Sequence, residues 1–206
     1  MNPYRTLGID VTSDQLTIRK GYIAAVKKYH PDVTGDITKF NSIQDAYELL
    51  TNGYKIPIIE TSVKLTLYQM MKGGNVSVLL TPSPDVQLIV DILIPEFSYP
   101  GESIEFINNG LTCYKIRVKL NQLEDSNYIR HKADVIYYNK INKNEAKQGK
   151  IISLNNFDHT THIIDIPPNT TADKLIYNID GAGFYNKNSN QRGKLTVIVE
   201  IQKESK

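Results

Sequence analysis

Near residue 61 the spacing of apolar side chains changes from that of helices to that of strands. Upstream, over residues 13–29, Leu16, Ile18, Tyr22, Ala25, Val26 and Tyr29 fall mostly three, four or seven apart, and Phe40, Ile43, Ala46, Tyr47 and Leu50 repeat the pattern. Such spacing aligns side chains along one face of a helix. Downstream, Val63, Leu65 and Leu67 alternate with Lys64 and Thr66, and Val76, Val78 and Leu80 alternate with Ser77 and Leu79. A period of two belongs to strands. Residues 86–94, 103–107 and 113–120 supply further strands, with 143–147 the one helical segment expected after Gly53. The fold class expected is α+β and multidomain: an N-terminal all-α helical hairpin, then small all-β domains. With 206 residues, 40% of them apolar, the chain can fill two or three small cores.

Between the two helical patterns lies Tyr29-His30-Pro31-Asp32. Pro31 cannot donate to a helix ladder and drives His30 towards extended backbone, so the tripeptide is expected at the exposed tip of an antiparallel hairpin. A short first helix is expected over residues 3–8 with Leu7 as anchor. Ser13 is expected to cap the long helix, with Asp14 in its first turn. Gly21 inside that helix costs about 1 kcal/mol relative to Ala, which close packing against a neighbour would explain. A loop at 33–36 leads to a helix starting at Asp36 or Thr38. Asn52-Gly53 closes that helix, and residues 53–60 form a linker.

The β region contains an internal repeat. Leu93-Ile94-Pro95, Ser103 to Phe106, Asn109-Gly110 and Tyr114 to Val118 are echoed by Ile164 to Pro167, Lys174 to Tyr177, Asp180 to Gly183 and Leu195 to Val199. Each copy reads as strand, Pro turn, strand, Gly loop, strand. Two tandem β units follow, over 61–121 and 122–206.

Residues Tyr4 to Ile9, Ile18 to Tyr22, Lys28 to Asp32 and Asp45 to Leu50 together resemble the J domain of the DnaJ family, co-chaperones of DnaK-type (heat-shock seventy) ATPases. The β region is similar to the family's two C-terminal peptide-binding sandwiches, through Tyr128-x-Arg130-x-Lys132-x-Asp134-Val135, Glu145-Ala146-x-x-Gly149, Gly181-Ala182-Gly183 and Arg192-Gly193-Lys194-Leu195. Lys132 stands where the family usually has Gly, and Lys194 replaces an acid. The resemblance makes residues 1–52 a J domain. It implies that Asp32 accepts charge-assisted hydrogen bonds from an arginine of the ATPase, with His30 packed beside it and Pro31 fixing the turn. The hydrolytic groups would be the partner's, so this chain is expected not to be an enzyme. Family members often continue into a Gly/Phe-rich segment and a dimerisation tail. This chain is expected to lack both, and so to be a monomer with a J domain close to its sandwiches. Without a Cys-x-x-Cys repeat the zinc module of one subclass is missing, and no metal or other cofactor is expected.

Arg19, Lys20, Lys27 and Lys28 could dock on an acidic patch of the ATPase or simply form a solvated face. Ile23 and Ala24 stand where the family has a basic pair, which points to weaker docking or a particular partner. Val63, Leu65, Val76, Val78 and Leu80 are either sandwich core, the better reading for each singly, or a shallow groove where an extended client adds as a strand. His159 and His162 read as a solvated hairpin turn, and Cys113 as a small core residue that excludes an internal disulfide.

The function expected is therefore a DnaJ-like co-chaperone that binds unfolded or specific clients and stimulates a DnaK-type ATPase. The rivals are an adaptor recruiting that chaperone to one assembly, and a DNA binder using 130–132 and 140–150. A formal charge of +2 argues against nucleic acid. No basic leader, no apolar run long enough for a bilayer and a single cysteine lead to a cytoplasmic expectation.

Overall fold

Asn2 starts the first element: its carboxamide oxygen accepts the Arg5 N–H at 3.2 Å, Pro3 opens helix α1 (Pro3–Leu7), and Gly8 ends it. The computed structural model describes residues 1–34, 36–84 and 86–202. Helix α2 (Gln15–Tyr29) is capped by Asp14, whose carboxylate accepts the Thr17 N–H at 2.8 Å. The cap is thus not Ser13, whose own N–H is spent on a turn to the Asp10 carbonyl. Leu16 is also displaced from the expected stripe. It is 60% exposed on the first turn, while Ile18, Tyr22, Ala25 and Tyr29 face inward. Helix α3 (Pro31–Thr34) takes up the first half of the expected loop, in which Gly35 lies outside the described residues. Helix α4 (Ile37–Thr51) begins at its cap Asp36 and ends at Asn52.

Tyr4, Leu7, Ile18, Ile43, Ala46 and Leu50 form the helical core, and Tyr22 stacks on Tyr47 at 4.2 Å. Gly21 has the close neighbour its position called for: a Cβ there would come within 2.5 Å of the Ile9 Cγ2 and 3.3 Å of the Leu7 carbonyl.

The strands are β1 (Ile58–Leu65), β2 (Gly74–Ser83), β3 (Val86–Ile94), β4 (Ser103–Asn109), β5 (Cys113–Gln122), β6 (Tyr128–His131), β7 (Asp134–Asn142), β8 (Lys150–Asn155), β9 (Thr161–Ile166), β10 (Lys174–Ile179), β11 (Tyr185–Asn186), β12 (Gln191–Arg192) and β13 (Leu195–Gln202). Strand β1 begins inside the expected linker, so only residues 52–57 connect it to α4. Two further helices are α5 (Leu67–Lys72) and α6 (Lys143–Gln148). The second was expected and the first was not, because Leu67 continues the alternation of Val63 and Leu65. A capping box overrides it: Thr66 accepts the Gln69 N–H, Gln69 accepts the Thr66 N–H, and Leu67 and Met70 are buried at helical spacing.

Sheets of order β1-β5-β4 and β10-β13-β7-β6 are accompanied by the hairpins β2-β3, β8-β9 and β11-β12. The repeat is therefore longer than the sequence copies: β1-α5-β2-β3-β4-β5 corresponds to β7-α6-β8-β9-β10-β13. Both helices carry capping boxes, the second from Asn142 and Glu145. Both end at a left-handed glycine, Gly73 or Gly149, that lies against an equivalent carbonyl. A Cβ would approach the Ile94 oxygen to 2.6 Å and the Ile166 oxygen to 3.1 Å. Among the described residues the pair β11-β12 is an insertion in the second copy without a counterpart in the first.

The chain divides into two compact units, Met1–Thr61 with Ser103–Lys119, and Ser62–Glu102 with Leu120–Lys206. These do not coincide with breaks at 52 and 121, because the β4-β5 hairpin belongs with the helices. Asn2, 3% exposed, donates through Nδ2 to the Asn109 Oδ1 at 2.7 Å and to the Gly110 carbonyl at 2.8 Å. Lys115 donates its backbone N–H to the Pro57 carbonyl at 2.9 Å. Cys113 is a core residue, as expected, but of the helical core rather than a sandwich, and burial pushes its thiol up. In the second unit the Arg130 guanidinium lies 3.5 Å over the Phe184 ring and 4.2 Å over Tyr99, and its Nε donates to the Lys132 carbonyl. Burial lowers its pKa. Residues 203–206, the end of the second expected sandwich, lie outside the described residues.

Candidate functional site

The tip between α2 and α4 is shaped by Pro31. His30 leaves the helix with extended backbone (φ −60°, ψ 138°), the conformation a following proline demands, and Pro31 then starts α3 at the one place where a missing N–H costs nothing. Asp32 falls in the first turn of α3, with its side chain 89% exposed. Its backbone N–H donates to the His30 Nδ1 at 3.3 Å, and its carboxylate lies 3.5 Å from the same nitrogen. The His30 ring packs edge-on against Phe40 at 5.7 Å. One side of the turn is thus fixed to the helical domain while the Asp32 carboxylate projects into solvent, where it can meet a cation.

Arg19, Lys20 and Lys27 lie on the exposed side of α2, with Ile23 and Ala24 between them. Lys27 and Lys28 stand in the last turn, where cations offset the helix dipole, so a structural role accounts for part of their presence. Lys28 lies 5.1 Å from the centre of the Tyr29 ring, and Lys39 at 4.0 Å. Hydrogen bonding from Lys28, then from Lys39, lowers the Tyr29 pKa. Lys39 and Phe40 were not singled out from the sequence as tip residues. Their signal was position, since the first turn of the helix after a tight tip folds back beside it.

Two family models match the chain: the DnaJ domain at residues 2–57 and the DnaJ C terminal domain at 59–203. The chain belongs to the DnaJ family. Among its curated relatives, DnaJ homolog dnj-10 of Caenorhabditis elegans is 47% identical over 55 residues, 25% of this chain and 12% of that protein. Protein SIS1 of Saccharomyces cerevisiae is 40% identical over 58 residues, 28% and 16% respectively. Chaperone protein DnaJ of Ruminiclostridium cellulolyticum is 41% identical over 56 residues, 25% and 15%. The matched part thus spans less than a fifth of these relatives' own lengths.

In this DnaJ-family chain the strand residues weighed as a client groove divide by burial. Leu65, Val78 and Leu80 are buried, in keeping with the core reading, while Val63 and Val76 are half-buried. His159 sits in the β8-β9 turn with a left-handed backbone, and the His162 Nε2 lies 3.2 Å from the Thr160 Oγ1. Among the described residues no group of three or more His, Cys, Asp or Glu side chains is arranged to hold a metal ion, and no helix is long and apolar enough to cross a membrane.

Proposed function

We propose that this chain is a co-chaperone that engages a DnaK-type ATPase through the α2-α3 tip and presents client polypeptides from its β domains. The observation that carries the reading is the exposed Asp32 carboxylate beside a His30 that is pinned by Phe40. An arginine of the partner would meet that carboxylate in a charge-assisted pair, and Arg19, Lys20, Lys27 and Lys28 would supply attraction at longer range. Family membership supports the same partner. Hydrolysis is the partner's chemistry; this chain contributes no catalytic group. Clients, unfolded or specific, would be held as extended segments near Val63 and Val76, the half-buried members of the strand set, with Leu65, Val78 and Leu80 shaping the floor beneath.

The test is steady-state ATP turnover by a purified DnaK-type protein with this chain added. Asp32→Asn keeps size and removes charge, so stimulation is expected to fall at least tenfold while thermal unfolding stays unchanged. Undiminished stimulation by the Asn variant refutes the assignment.

A further inference from the structure

The β2-β3 hairpin is apolar on both of its faces. Inward, Val78, Leu80, Ile92 and Ile94 are buried. Outward, Leu79 is 57% exposed, Ile89 75% and Leu93 68%. Solvent-facing positions of antiparallel strands are ordinarily polar, so this second apolar row is unexplained by core packing. Register puts Leu79 directly opposite Ile89, then Ser77 opposite Asp91, then Asn75 opposite Leu93. The outward face therefore reads apolar, acidic, apolar, with its ends roughly 14 Å apart at about 3.4 Å per residue. Ser77 donates to one Asp91 oxygen at 2.6 Å, which holds the carboxylate upright with its other oxygen available. The equivalent hairpin of the second copy also exposes isoleucines, Ile151 and Ile163, so an apolar outward face occurs in both copies.

Charge selects the occupant. Residues 74–94 contain no Lys, Arg or His, and their acid on the outward face is Asp91, opposite Ser77. Self-pairing of this face between two copies would set Asp91 against Asp91, so a second copy is disfavoured. We infer that the outward face of β2-β3 binds an extended polypeptide segment of pattern apolar-x-basic-x-apolar. In extended chain, side chains i, i+2 and i+4 point the same way, so two apolar side chains cover Leu79/Ile89 and Leu93 while a lysine or arginine meets Asp91. The inference rests on the client-carrying reading and narrows it to basic, apolar clients on a face separate from Val63, Leu65 and Val76.

The experiment titrates the full chain into fluorescein-labelled Gly/Ser peptides carrying Leu-x-Lys-x-Leu or Leu-x-Glu-x-Leu, read by anisotropy at low salt. The lysine peptide is expected to bind about fivefold tighter or more, attraction being exchanged for repulsion at one surface carboxylate. Asp91→Lys reverses the order. Ile89→Ser and Leu93→Ser each weaken the lysine peptide about tenfold with unchanged circular dichroism, since both side chains stand in solvent. Equal binding of the two peptides, no binding of either, an order unmoved by Asp91→Lys, or concentration-dependent self-association in place of peptide binding each overturns the inference. If Asp32→Asn abolishes ATPase stimulation while Asp91→Lys leaves peptide preference unchanged, the face is wrong and the co-chaperone reading stands. If instead Asp91→Lys inverts the preference while Asp32→Asn leaves stimulation intact, the face stands as a peptide site and the co-chaperone reading falls.

Discussion

Asn2→Ala tests how firmly the β4-β5 hairpin is joined to the helices. Asn2 is buried, and its one carboxamide serves three backbone or side-chain partners: Arg5 N–H, Asn109 Oδ1 and the Gly110 carbonyl. Loss of the cap costs about 1 kcal/mol. The two donated bonds contribute roughly 0.5–1.5 kcal/mol each, and Asn109 is exposed enough for its oxygen to turn to water. The expected loss is about 2–3 kcal/mol, or roughly 4–12 °C in Tm for a chain of this size. Helical circular dichroism on heating and in urea reads it directly. Asn109→Ala in a double-mutant cycle should show coupling of about 1 kcal/mol with Asn2→Ala. Asn2→Asp separates the two roles, because it keeps the cap acceptor but removes the donor and faces a carboxylate towards two oxygens; it should be the worse substitution. A loss near 1 kcal/mol for Asn2→Ala, additive with Asn109→Ala, would refute the reasoning and leave Asn2 as a cap alone.

Gly21→Ala should destabilise by about 1–3 kcal/mol despite the better helix propensity of alanine, because the added methyl meets Ile9 and the Leu7 carbonyl; a more stable variant in urea titration contradicts this packing. Leu65→Ala, at a fully buried position, should cost about 2–5 kcal/mol in the same titration, and a neutral result would return Leu65 to the surface groove. Glu105 has its pKa lowered by hydrogen bonding from Lys115 and then Arg117. Because the folded pKa is the lower one, the unfolded chain binds the extra proton. The stabilisation is complete above the ordinary carboxylate value of 4.5 and fades as pH falls through the folded value. Glu105→Gln should therefore flatten the acid limb of a Tm-against-pH curve below about pH 4.5, and an unchanged limb would dismiss the pair. Lys39→Glu should raise the Tyr29 pKa in an ultraviolet titration, since one of the cations that lower it is gone.

Much of the molecule is local enough to be written in one dimension. Pro31 dictates the His30 conformation and the start of α3 by covalent geometry alone, so the tip of the candidate site was legible. Strand 113–120 was legible because alternation is a property of neighbours in sequence, and 86–94 because a short apolar run rich in Val and Ile is one too. Where two local codes competed, the sequence was ambiguous: Leu67 satisfies both the period of β1 and the first turn of α5, and the Thr66-Gln69 capping box decides. The direction an apolar strand faces was not legible either. Val78 and Leu79 are equally hydrophobic, and only packing of the hairpin makes one core and leaves the other in solvent. Long-range partners were the least accessible. Asn2 and Asn109 are separated by 107 residues, and nothing near either one encodes the other. Cys113 likewise reads as a strand residue, but it fills the helical core because tertiary structure brings β5 to α1 and α4, and close packing rewards whichever small apolar side chain arrives there.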